Sequence, residues 1–101
     1  MDHVIVQGEF RVPAERMAGA RPLMQALIAA TRAEAGCLLY SFAEDLCDPG
    51  LIRISERWES RAALAAHIDQ PHMAQWASQR ADLGVTGRKV SILGVSGEEI
   101  L

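Results

Sequence analysis

Glu56 carries the sharpest chemical signal in this 101-residue sequence. In the run Leu51-Ile52-Arg53-Ile54-Ser55-Glu56-Arg57-Trp58, alternate residues of a strand point to opposite faces, so Glu56 shares the apolar face of Ile52, Ile54 and Trp58. A carboxylate turned toward a core must be paired or must titrate above its usual range, and such groups are candidates for proton transfer. The same residue also fits a plain structural pair with His67 or an arginine. His67 and Trp58 fall at the edge of one layer with Glu56, and His72 lies one helical turn from Trp76.

Other chemistries fail on spacing. His67 and His72 are five positions apart with Pro71 between them, which does not set two imidazoles on one helical face as a zinc pair requires. No metal site is expected. There is no G-x-G-x-x-G, P-loop, G-x-S-x-G or H-E-x-x-H pattern, and Gly94-Val95-Ser96-Gly97 lacks the closing glycine and helix of a nucleophile elbow. Cys37 and Cys47 lack C-x-x-C spacing and read as reduced thiols, Cys37 as a small core residue beside Leu38 and Leu39.

The elements that must position these residues follow from periodicity. Val4 to Val12 alternates apolar and polar residues and predicts a first strand, stopped by Pro13. Ala14 to Ala35 predicts a helix with Met24, Leu27, Ile28 and Thr31 on one stripe, its start kinked or frayed by Gly19 and Pro22, and Gly36 as its left-handed cap. Cys37 to Glu44 and Leu51 to Trp58 predict an antiparallel hairpin across the turn Asp48-Pro49-Gly50. Ser60 caps a helical piece carrying Leu64, His67 and Ile68; a second piece starts at Pro71 with Met73, Trp76, Ala77 and Arg80, and Gly84 closes it. Val85 to Val95 predicts a fourth strand. This order makes an α+β, ferredoxin-like β-α-β-β-α-β sandwich: a four-stranded antiparallel sheet with the helices on one face, one domain over residues 1–101.

Composition narrows the function classes. Hydrophobic residues make up 50% of the chain and charged ones 23%, the balance of a globular domain with one core. A net charge of -3 and a pI near 5.5, with no cluster of Lys or Arg, exclude a nucleic-acid surface and an anionic membrane surface as expected partners. An RNA-recognition module of the same element order would also need paired aromatics on its first and third strands, which Leu51 to Trp58 does not supply. Met1-Asp2-His3-Val4 has no basic region leading an apolar one, and no apolar run approaches the roughly 20 residues that cross a bilayer. The cytoplasm is the expected compartment.

The ordered set Ala30-Thr31-Arg32-Ala33-Glu34-Ala35-Gly36-Cys37-Leu38-Leu39-Tyr40, then Asp48-Pro49-Gly50, Ser55-Glu56-Arg57-Trp58-Glu59-Ser60 and Ala66-His67-Ile68-Asp69-Gln70-Pro71-His72-Met73 resembles the antibiotic biosynthesis monooxygenase family. The resemblance implies a homodimeric α+β barrel in which two sheets meet face to face, each subunit keeping a pocket between its own sheet and helices. It also implies oxygen insertion into a small phenolic, quinol or other aromatic compound without flavin or metal, the protein binding, deprotonating and excluding water. In that scheme Glu56 or His67 is the proton acceptor, and Trp58, Trp76, His72, Tyr40 and Phe10 shape an aromatic pocket. A related haem-degrading branch uses an Asn on strand one, a Trp ending strand three and a helical His; this chain matches at Trp58 and offers Gly8 and Ala77 at the other two, so haem is not expected. A non-catalytic binding or stress-responsive dimer is the competing expectation, because this fold is widely used without chemistry.

Overall fold

A computed structural model describes residues 3–101; Met1 and Asp2, the first residues of the N-terminal run considered above, lie outside them. The chain runs β1 (Val4–Arg11), α1 (Met17–Arg32), β2 (Cys37–Glu44), β3 (Leu51–Trp58), α2 (Arg61–Ile68), α3 (Pro71–Leu83) and β4 (Thr86–Gly94). The four strands form one antiparallel sheet in the order β2-β3-β1-β4. This is the ferredoxin-like arrangement expected from the sequence.

The first long helix is shorter than its periodicity predicts. Ala14–Arg16 forms a 3-10 turn, α1 proper starts at Met17, and it ends at Arg32 rather than Ala35. Pro22 lies inside α1 and has no N–H to donate, which weakens the turn before it. The C-terminal difference frees Ala33, Glu34 and Ala35 to form a turn, with Glu34 N–H donating to the Thr31 carbonyl and Cys37 N–H to the Glu34 carbonyl.

Alternation on β1 and β3 decides what faces the helices. Val4, Val6, Phe10, Ile52, Ile54, Glu56 and Trp58 are buried there, with Val6 opposite Glu56 and Val4 opposite Trp58. On β2 the register slips between Cys37 and Leu39. That irregularity breaks the period of two, so Cys37 and Tyr40 turn inward while Leu38 and Leu39 are exposed. Met24, Leu27 and Thr31 of α1, Leu64 and His67 of α2, and Trp76 of α3 cover the inner face. Cys37 and Cys47 are free thiols, and Cys37 packs against the core.

Candidate functional site

Glu56 is 7% exposed and sits beside Tyr40, its cross-strand partner on β2. Its Oε1 accepts a hydrogen bond from the Trp58 indole Nε1 at 2.9 Å. The two residues are i and i+2 on β3, so the strand period itself aligns indole and carboxylate on one face. Burial pushes the Glu56 carboxyl above its usual range, outweighing the Trp58 bond and the electrostatic influence of His67 and Arg88, which favour the ionised form. Burial also pushes the Tyr40 phenol up, aided by the nearby Glu56 charge, so Tyr40 stays protonated.

A cavity between the sheet and α3 is lined by Phe10, Tyr40, Phe42, Ile54, Glu56, Met73, Trp76, Arg80, Arg88 and Val90. Its volume is about 30 Å³, room for one or two waters but not for an aromatic ring system. Phe10, Phe42 and Trp76 pack with centroids 5.5 to 6.3 Å apart and form its apolar wall. Arg80 reaches it from the last turn of α3, its guanidinium pKa lowered by burial and by the charge of Arg88 on β4.

Four of the seven residues singled out in the sequence, Phe10, Tyr40, Glu56 and Trp76, line this one cavity. Trp58 stands behind it, holding Glu56. His67 does not pair with Glu56. Its Nδ1 lies 2.7 Å from Glu34 Oε2, and the ring stacks on Trp58 at 4.6 Å with Tyr40 edge-on at 5.5 Å. His72 Nε2 meets the same Glu34 oxygen at 2.8 Å, not the Trp76 side of the pocket.

This corrects the expectation that spacing keeps the two imidazoles apart. A single continuous helix would point residues five apart in different directions, but α2 stops at Ile68 and α3 restarts at Pro71. The chain turns at Asp69 and Gln70, and the imidazole centroids come to 6.1 Å from each other. Ligand atoms of Glu34, His67 and His72 all lie within 4.8 Å of one another, a set with the chemistry of a metal site.

Glu34, Arg80 and Arg88 are the functional candidates that the sequence reading missed. A carboxylate in the last turn of the predicted helix opposes the helix dipole, and that misfit at Glu34 was the available signal. Arg80 lay on the apolar stripe of α3, and Arg88 shares a face with the partly buried Val90. Of the haem landmarks, the strand-one position is Gly8. A Cβ at Gly8 would meet the Lys89 carbonyl oxygen at 2.6 Å and Val90 Cα at 2.9 Å, so β1 has no space for an asparagine without a shift of β4.

Residues 3–79 match the family described as antibiotic biosynthesis monooxygenase. A protein of Mycobacterium tuberculosis provisionally named a monooxygenase is 33% identical over 90 residues, 89% of this chain and 88% of its own. Its solved structure superposes with a TM-score of 0.85, covering 96% of this chain and 98% of that one. A Deinococcus radiodurans structure, provisionally described as an antibiotic biosynthesis monooxygenase, is 37% identical with a TM-score of 0.90, covering 97% and 96% of the two chains. An uncharacterised Synechocystis protein is 28% identical over 100 residues, 99% of this chain and 68% of its own length.

Proposed function

The chain belongs to the antibiotic biosynthesis monooxygenase family, and on that footing we propose that it is a cofactor-independent monooxygenase of a small phenolic, quinol or related aromatic compound. The observation that carries this reading is Glu56: a buried carboxylate with a raised pKa, held by Trp58 on the wall of the one cavity that gathers Phe10, Tyr40, Trp76 and two arginines. A carboxyl tuned upward is a better base near neutral pH than an ordinary one.

In the proposed reaction Glu56 accepts a proton from the substrate hydroxyl, and the Arg80 and Arg88 charges stabilise the oxyanion. The ring carbon made electron-rich by that loss gives its electrons to dioxygen. One oxygen atom stays on the carbon as a new carbonyl, and the other leaves as water with the two hydrogens the substrate has lost. To admit the ring, Phe10, Phe42 and Trp76 must part from the about 30 Å³ they now enclose; they then flank it, and Tyr40, protonated, donates a hydrogen bond. His67, bonded to Glu34 and stacked on Trp58, acts as a positioning residue for the indole.

Oxygen uptake with a reduced naphthol or quinol should survive a chelator, and Glu56→Gln should lower kcat by about 100-fold or more. An unchanged rate in Glu56→Gln removes the proposed base. The tightness of the cavity, about 30 Å³, favours a second reading: a non-catalytic small-molecule-binding or stress-responsive protein. Saturable binding of the same aromatics without oxygen consumption would select it.

A further inference from the structure

We propose that Glu34, His67 and His72 form a binding site for a divalent transition-metal ion of the zinc class. Two imidazoles and one carboxylate are a ligand set such ions prefer, and three protein ligands leave a fourth position open. The three come from separate segments: the turn after α1, the last turn of α2 and the first turn of α3. Only the helix break at Asp69 and Gln70 brings them together.

Preorganisation and access both favour an ion. His67 is 2% exposed and is fixed between Trp58 and Tyr40, so its ring direction is set before any ligand arrives. Glu34 and His72 are 11% and 21% exposed. They face a surface cleft of about 330 Å³ whose other walls include Ala30, Ala33 and Ala66, side chains too small to block a metal-bound water. A single oxygen, Glu34 Oε2, lies 2.7 and 2.8 Å from the two ring nitrogens. Around a tetrahedral ion ligand atoms sit about 3.4 Å apart, so the two oxygen–nitrogen distances must open by about 0.6 Å while the two ring nitrogens, which lie within 4.8 Å of each other, settle to that same spacing. To bind the ion, each imidazole must present a proton-free lone pair on the nitrogen that faces Glu34.

None of these three residues lines the Glu56 cavity, so the inference concerns a second site, joined to the first through the His67 ring against Trp58. Protein stripped with a chelator and dialysed would be titrated with Zn(II) by calorimetry and with Co(II) by visible absorption. One ion per chain, with tetrahedral cobalt bands and a raised Tm, is the expected result. His72→Ala and Glu34→Gln should each weaken binding more than about 10-fold. Both positions are only partly buried, and circular dichroism would verify that the variants fold; His72→Asn serves if His72→Ala does not. Absence of saturable binding, or equal binding in the folded variants, would overturn the site and leave Glu34 as a hydrogen-bonded clasp between α1 and the α2–α3 break.

Discussion

Glu56 and Trp58 are the residues whose energetics the structure makes most specific. A carboxyl with a folded pKa raised by burial contributes stability that is present below the ordinary carboxylate range and is lost as pH climbs through the folded value. Glu56→Gln cannot ionise, and its amide oxygen can still accept from Trp58 Nε1. The variant should therefore gain in Tm relative to wild type as pH rises above the ordinary carboxylate value of about 4, measured by thermal melts from acid to neutral pH. A parallel pH dependence in both proteins would contradict a raised Glu56 pKa. Trp58→Phe keeps an aromatic ring but deletes the donor. With that bond gone, the Glu56 pKa should move still higher in a carbon-13 NMR titration, and urea denaturation should show a loss of about 1–3 kcal/mol.

At the scale of elements, the junctions around α1 and α2 carry the site. Gly36 has φ 82°, and a Cβ there would meet Ala63 Cβ at 2.6 Å. Gly36→Ala thus combines backbone strain with a clash against α2, and should cost roughly 2–4 kcal/mol in urea denaturation. Ser60 caps α2 through Oγ, which accepts from the Ala63 N–H at 3.1 Å. Ser60→Ala should lose about 1 kcal/mol by the same measurement, with the Glu56 cavity unchanged. The contrast separates a junction that needs one conformation from a cap that only satisfies a donor.

For the whole molecule, the outer sheet face remains mixed. Arg53 bonds Glu9 at 2.8 Å and Asp45 at 3.2 Å within the chain, so these charges are already paired without a second copy. Leu39 and Leu93 are exposed on the same face, opposite Arg57 and Ile5 in the register. If that face meets a twin, light scattering should report twice the 11.0 kDa chain mass, and Leu39→Asp should return it to the single-chain value. A wild-type monomer would contradict the pairing. No helix among the described residues is long and apolar enough to cross a membrane.

The sequence by itself determined the element order, the inward face of β3 and the burial of Glu56, because strand period and turn chemistry are local properties that neighbours in the chain enforce. It also brought Phe10, Tyr40 and Trp76 forward as pocket residues. Tertiary structure alone decided their partners. Glu56 chose Trp58 rather than His67, and Glu34 took both histidines, because the end of α1 and the break between α2 and α3 set distances that no spacing rule encodes. The same holds for Leu38 and Leu39, turned outward by a register slip, and for a cavity whose small volume depends on how α3 settles over the sheet. Periodicity fixes which face a side chain occupies; packing between distant segments fixes what it touches.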